Sequence, residues 1–122
     1  MFRKMKVYEQ AFEQAMNIYK ISKVFPKEER YSLTDQIRRS SRSVCANLGE
    51  GYRKRQYKAH FISKLSDSDM ENTETQVWID FAYACGYIQT GNYKLLLEQS
   101  ENIGRMLGYM ISKPEIFLPK PK

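Results

Sequence analysis

Four segments of the sequence carry apolar side chains at helical spacing, and residues that break helices separate them. Pro26 follows the first segment, Gly86 and Gly91 flank a turn between the third and the fourth, and Pro114 follows the last. The pattern predicts helices over residues 4–25, 33–53, 57–85 and 93–113, with a C-terminal tail over residues 114–122. Helices of this length with short connections pack most economically side by side. We therefore expect an all-α fold, a single antiparallel up-and-down four-helix bundle.

The first two helices have more specific signals. The apolar face of the first helix is built around one stripe, which comprises Tyr8, Phe12, Ala15, Tyr19 and Ser22. At the start of the second helix, Ser32 has the residue type of an N-cap, and Asp35 lies three residues later, as in a capping box. We therefore expect the Ser32 side chain to cap this helix.

Composition excludes several classes of protein. With 122 residues, of which 42% are hydrophobic, the chain can form one core without disulfides or a structural metal. No apolar run is long enough to span a bilayer, and the first residues, Met1 to Lys6, lack the apolar run of a signal peptide. Cys45 and Cys85 are expected to be buried free thiols, and His60 is the single histidine. We expect a cytoplasmic protein with no membrane partner, no cofactor, no metal site and no catalytic residues.

The positive charge is concentrated in one part of the chain. The sequence has 20 basic and 14 acidic residues, a net charge of +6. Eight basic residues and two acidic ones lie between Arg30 and Lys58, and the remaining twelve basic and twelve acidic residues cancel. Such a basic segment interleaved with tyrosines is typical of nucleic-acid binding, since cations neutralise phosphates and tyrosines stack on unpaired bases. The candidate contact residues are Arg38, Arg39, Arg42, Arg53, Lys54, Arg55 and Lys58, with Tyr52 and Tyr57 as stacking residues.

The arginines of the second helix have an alternative role. The first half of the third helix carries a run of carboxylates, namely Asp67, Asp69, Glu71 and Glu74. Antiparallel packing of the two helices would allow these carboxylates to pair with Arg38, Arg39 and Arg42, within a subunit or between subunits. The basic residues after the second helix have no acidic neighbours in sequence, so we expect them to face solvent.

Three blocks of sequence resemble a known family. They are YSLTDQIRRSSRSVCANLGEGY (residues 31–52), ENTETQVWIDFAYACGYI (residues 71–88) and IGRMLGYMI (residues 103–111). The chain resembles the four-helix bundle proteins related to the 23S rRNA intervening-sequence proteins. The resemblance implies a ring-shaped oligomer, a homopentamer, with no established enzymatic activity. It also implies kinship with accessory proteins of diversity-generating retroelements, which bind nucleic acid and a reverse transcriptase.

Several polar residues at the family's signature positions suggest a structural role. Asn47 and Glu50 lie three residues apart on the second helix, and a buried polar group without a partner costs about 1–3 kcal/mol. We expect a hydrogen-bonded layer that fixes the register of the helices, with these members: Gln36, Asn47, Glu50, Glu71, Asn72 and Glu74. The expected function is nucleic-acid binding by a non-enzymatic oligomer. The alternative is a scaffold or accessory protein, for example for a reverse transcriptase, whose arginines pair with helix-three carboxylates.

Overall fold

The computed structural model describes residues 1–120 and contains four long α-helices. The helices are α1 (Lys6–Ser22), α2 (Leu33–Arg53), α3 (Lys58–Ala84) and α4 (Thr90–Ser112). Short 3-10 turns occur at Phe2–Lys4, Lys27–Glu29 and Pro114–Phe117, and residues 1–120 contain no β-strand. Residues 121 and 122 of the predicted tail lie outside the described residues.

The helices form an antiparallel four-helix bundle, as the sequence predicts. Helix α1 packs against α2 and α4, and α3 packs against the same two helices. The pairing of α2 with α3 shows their direction: Arg39, early in α2, contacts Glu74, whereas Glu50, late in α2, contacts Lys64. Near the second pair the two backbones approach closely, and a Cβ atom on Gly51 would lie 3.1 Å from the Lys64 Cβ.

The ends of three helices differ from the predicted bounds. Helix α1 ends at Ser22 rather than at residue 25, and Phe25 is buried outside the helix, with its ring 5.6 Å from that of Tyr87. Helix α3 starts and ends one residue inside the range 57–85, and the turn after it has Gly86 at φ +78°, which favours glycine. Helix α4 begins at Thr90 instead of residue 93.

A carboxylate from the preceding turn caps the start of α2. Ser32 occupies the N-cap position, but its hydroxyl donates a 2.6 Å hydrogen bond to Glu29 Oε1 instead of accepting one from the helix. The same carboxylate oxygen accepts a hydrogen bond from the Leu33 backbone N–H at 3.4 Å, and its second oxygen accepts one from the Tyr87 hydroxyl at 2.8 Å. The predicted capping role of Ser32 is therefore wrong, and Glu29 also ties the α1–α2 connection to the α3–α4 connection.

The core consists of two hydrophobic clusters at opposite ends of the bundle. One cluster comprises Val7, Ala11, Val44, Leu48, Phe61, Leu65, Ile103, Leu107 and Met110. The other comprises Ile18, Phe25, Leu33, Ile37, Ile79, Ala82, Ile88 and Leu96. Phe117 and Leu118 pack against the first cluster, so this part of the predicted tail is docked. Cys85 is exposed, contrary to the expectation of a buried thiol, whereas Cys45 is half-buried.

A layer of buried polar side chains separates the two clusters. On each helix, these residues face the core at positions between the two clusters. They are Gln14, Ser40, Ser41, Ser68, Asn72, Thr75 and Ser100. Ser100 Oγ donates to Asn72 Oδ1 at 2.9 Å, Asn72 Nδ2 donates to the Ser100 carbonyl at 2.9 Å, and Thr75 Oγ1 donates to Ser40 Oγ at 2.9 Å. The layer thus links α3 directly to α2 and α4.

The membership of this layer differs from the prediction. Asn72 alone, of the six residues expected there, belongs to it. Asn47 Nδ2 donates to the Ser43 carbonyl within α2, and Glu50 is exposed, 3.5 Å from Lys64 Nζ. The other three expected members, Gln36, Glu71 and Glu74, lie around Arg39 at the bundle surface.

Candidate nucleic-acid interface

A basic groove of about 660 Å³ lies between the C-terminal end of α1, the α1–α2 connection and the exposed face of α2. Six basic residues line it: Lys23, Lys27, Arg30, Arg38, Arg39 and Arg42. Asp35 is the single acidic residue among the described residues that line it. Two separate parts of the sequence supply this charge, and the antiparallel packing of α1 on α2 brings them together.

Tyr19 of α1 is surrounded by three of these cations. The guanidinium carbons of Arg38 and Arg42 lie 4.9 and 5.8 Å from the centre of the Tyr19 ring, and Lys23 Nζ lies 4.9 Å from it. Arg38 Nε also donates a 2.8 Å hydrogen bond to Ser22 Oγ. Cation–π contacts of this kind offset part of the repulsion between the cations. Within residues 1–120, none of the three cations has a carboxylate partner.

Arg39 also borders the groove, but its guanidinium turns toward α3 and is paired there. Its guanidinium lies 3.1 Å from Glu71 and 2.7 Å from Glu74, and its Nε donates to Gln36 Oε1 at 3.3 Å. The hydrogen bonds to Glu74 and Glu71 raise the pKa of Arg39, and the Arg39 guanidinium lowers the pKa of Glu74. The α2 arginines therefore do not all have the same role. Arg39 pairs with carboxylates of α3, whereas Arg38 and Arg42 face α1.

The basic residues at the exit of α2 also divide into two groups. Arg53 and Lys54 are exposed and have no carboxylate partner among the described residues. Arg55 is half-buried, and its Nε and Nη1 donate to the carbonyls of Tyr52 at 3.0 Å and Phe117 at 3.4 Å. Lys58 forms an ion pair with Glu115, which lowers the pKa of that carboxyl group. The expectation that these residues face solvent is therefore wrong for Arg55, whereas Lys58 is exposed but paired with Glu115.

The two tyrosines predicted to stack on bases differ in accessibility. The Arg55 guanidinium carbon lies 3.7 Å from the centre of the half-buried Tyr52 ring, and the Phe2 ring lies 6.2 Å from it at a tilt. Tyr57 is 55% exposed, and its ring centre lies 5.6 Å from that of His60. Of the two, only Tyr57 offers an open aromatic face.

Sequence reasoning missed Tyr19, Lys23 and Lys27 as candidate site residues. Apolar spacing places Tyr19 in the stripe of the first helix, whereas in the structure its ring is half-buried and has cations around it. The spacing of Tyr19 and Lys23, four residues apart on α1, places them side by side on the helix surface. This spacing is visible in the sequence, but it does not indicate which helix packs against Tyr19 and Lys23.

Two further features of the described residues bear on other classes of function. Residues 1–120 contain no group of three or more histidine, cysteine, aspartate or glutamate side chains arranged to hold a metal ion. Over the same residues, no helix has the length and apolar character needed to cross a membrane.

The fold and the groove define an all-α four-helix protein with a basic surface between its first two helices. The chain belongs to the 23S rRNA-intervening sequence protein family, whose family model matches residues 3–109. The similar solved structures include the crystal structure of a protein of unknown function from the S23 ribosomal protein family of Bacteroides thetaiotaomicron. The two chains are 29% identical, the match covers 88% of this chain and 96% of the other, and the TM-score is 0.80. No curated protein matches the chain.

Proposed function

We propose that the protein binds the phosphate backbone of nucleic acid through the basic groove and the exposed cations at the exit of α2. The observation that carries this proposal is the convergence of unpaired cations on the groove, while Arg39 alone is neutralised by α3. Repulsion between clustered cations destabilises the fold, and a polyanion would relieve it. The proposed role involves no catalytic step and places the protein in the cytoplasm.

A matched pair of variants tests the proposal. Arg42→Gln and Arg39→Gln each remove one positive charge from α2, but only Arg42 lacks an ion-pair partner among the described residues. Affinity for a structured RNA and for duplex DNA is measured by fluorescence anisotropy over a salt series. We expect Arg42→Gln to reduce the slope of log K against log salt by about one, because one phosphate contact is lost. Arg39→Gln is expected to leave the slope unchanged.

Two results would refute the proposal. A wild-type affinity that does not depend on salt would show that phosphate contacts do not drive binding. Equal effects of the two variants would show that only net charge matters and that the groove has no specific role. In either case the convergence of cations around Tyr19 would need another explanation.

We also propose that the chain assembles into a homo-oligomeric ring, a homopentamer. Large apolar side chains remain exposed on three helices, namely Phe12, Met16, Val77, Phe81 and Leu95. Their burial between subunits would be favourable, and a ring would multiply the basic groove so that weak phosphate contacts add through multivalency. Size-exclusion chromatography with light scattering measures the mass directly. A monomer at micromolar concentration would remove both the ring and the multivalency from the proposal.

A second candidate function is that of a protein-interaction scaffold, such as an accessory protein for a reverse transcriptase. The observation that favours it is the pairing of Arg39 with Glu71 and Glu74, which removes one predicted nucleic-acid contact from the surface. This function predicts weak, non-specific nucleic-acid binding together with stoichiometric capture of a purified polymerase. Capture that survives Arg42→Gln, without salt-dependent binding to nucleic acid, would favour it over the first proposal.

A further inference from the structure

Three aromatic rings along the basic side of α2 have cations next to them. Arg42 and Arg53 are eleven residues apart on one straight helix, which places them about 16 Å apart along the axis and about 20° apart around it. The Phe2 ring lies between them, 3.6 Å from the position that a Cβ atom on Gly49 would take. The rings that follow this side of the helix are therefore Tyr19, Phe2 and Tyr52.

Each of these rings has a cation within about 6 Å of its centre, the usual limit for a cation–π contact. The Arg3 guanidinium carbon lies 4.7 Å from the centre of Phe2, and that of Arg55 lies 3.7 Å from the centre of Tyr52. Tyr19 has the three cations of the groove around it. The sequence pattern of cations interleaved with tyrosines therefore has a different meaning in the structure: the rings hold cations in place.

This arrangement reduces the aromatic surface on which unpaired bases can stack, and it leaves Phe12 and Tyr57 as exposed rings with no cation from residues 1–120 next to them. Proteins that prefer single strands stack successive bases on aromatic side chains, and each base contributes about five- to 150-fold in affinity. A base can stack on the Tyr52 face only after the Arg55 side chain is displaced, because the guanidinium lies at van der Waals distance. Arg55 is also held by the Tyr52 and Phe117 carbonyls, which opposes such displacement.

We infer that the basic side of α2 selects double-stranded nucleic acid over single strands, because it binds mainly through backbone charge and cations cover three of its aromatic rings. This selectivity rests on the proposed nucleic-acid binding. A duplex carries one negative charge per about 1.7 Å of axis, and each contacted phosphate contributes about 0.9 to the salt slope, against about 0.7 in a single strand. With about five phosphate contacts, the two salt slopes differ by about one. The ratio of duplex affinity to single-strand affinity is therefore about tenfold higher at 0.1 M salt than at 1 M salt.

Two exposed tyrosines lie at the ends of this surface. Tyr31, 85% exposed, has the Arg30 guanidinium carbon 5.9 Å from its ring centre. Tyr57, 55% exposed, lies at the N-cap of α3 next to His60. Tyr57 therefore provides a control position, because its ring can reach a base without displacing a cation.

The test compares a duplex with a single strand on the full-length protein. Fluorescence anisotropy at about 0.1 M salt measures the affinities for a labelled DNA duplex of about 20 base pairs and for oligothymidine of the same length, which lacks secondary structure. We expect about tenfold tighter binding of the duplex. Oligothymidine binding that is as tight as duplex binding, or tighter, would overturn the inference while leaving the proposed function intact. Absence of binding to both would refute the proposed function itself.

Two variants separate ring shielding from general charge effects. Arg55→Gln removes the cation over Tyr52, so we expect the ratio of duplex affinity to oligothymidine affinity to fall by about fivefold as one base gains a stacking face. Tyr57→Ala removes a ring that is already open to bases, so we expect the ratio to rise. A ratio that does not move in Arg55→Gln, or that falls in Tyr57→Ala, would contradict the shielding of aromatic rings as the cause of selectivity. Far-UV circular dichroism confirms that each variant keeps its helices.

Discussion

Gln14 is the residue whose replacement should most clearly stabilise the bundle. Its side chain is fully buried in the polar layer, and Gln14 Oε1 has no hydrogen-bond partner within residues 1–120. Gln14 Nε2 donates to Asn72 Oδ1 at 3.5 Å, the outer limit of a hydrogen bond. Asn72 Oδ1 already accepts a 2.9 Å bond from Ser100 Oγ, so it would keep a partner if Gln14 were replaced.

The expected gain follows from these contacts. A buried polar group left without a partner costs about 1–3 kcal/mol, whereas the long bond to Asn72 contributes at most about 0.5–1 kcal/mol. Gln14→Met keeps the length and the lack of branching of the side chain, so it leaves no cavity, and the two residues have similar helix propensities. We therefore expect Gln14→Met to raise the free energy of unfolding by about 1–2 kcal/mol.

Urea unfolding followed by circular dichroism, at one fixed protein concentration, measures this gain. With an m-value of about 2 kcal/mol per molar urea, the midpoint should rise by about 0.5–1 M. Asn72→Leu is the matched control, because it also replaces a buried amide of the layer but breaks two 2.9 Å bonds to Ser100; it should lower stability by about 2 kcal/mol or more. A Gln14→Met midpoint below that of the wild type would refute the reasoning and show that the Gln14 carbonyl has a partner, such as a buried water.

Two further predictions concern titratable groups. Burial raises the pKa of Cys45 to about 11, whereas Cys85 is exposed, so we expect one thiol per chain to react rapidly with Ellman's reagent at neutral pH; Cys85→Ser should abolish that reaction. The hydrogen bonds from Ser32 and Tyr87 lower the pKa of Glu29 below its ordinary 4.5. Glu29 therefore stabilises the fold above its unfolded-state pKa, and this contribution is lost as pH falls through the lower folded-state pKa. Glu29→Gln should flatten the acid side of a plot of melting temperature against pH; an unchanged slope would contradict this role.

The helices were predictable from sequence because apolar periodicity and the positions of proline and glycine depend on local sequence alone. The end of α1 was not, since Phe25 continues the apolar spacing of the helix although it lies in the following turn. The residue before a proline is disfavoured in helical conformation, so Pro26 was the available signal. Phe25 is buried by contact with Tyr87, a residue distant in sequence, and no periodicity within one segment reports such a contact.

The charges of the site were predictable, but their partners were not. Arg38 and Arg39 are adjacent in sequence, and the turn of about 100° between them sends one side chain to α1 and the other to α3. Which neighbour each arginine meets depends on the packing of three helices. The polar layer was not predictable for a related reason: its members Gln14, Ser40 and Ser100 are uncharged residues within apolar stripes, so neither charge nor apolar spacing marks them in the sequence.

The polar layer and the basic groove depend on the same helix register. Gln14 fixes a position on α1 one and a half turns before Tyr19, and Ser40 fixes a position on α2 between Arg38 and Arg42. A slip of α1 against α2 by one turn, about 5.4 Å, would move the Tyr19 ring out of reach of Arg38 or Arg42. A wholly apolar core tolerates such slips better than a hydrogen-bonded one, because a slip leaves buried polar groups unpaired. The stability given up at the Gln14 carbonyl is therefore consistent with a layer that serves to hold the cations of the groove at fixed positions.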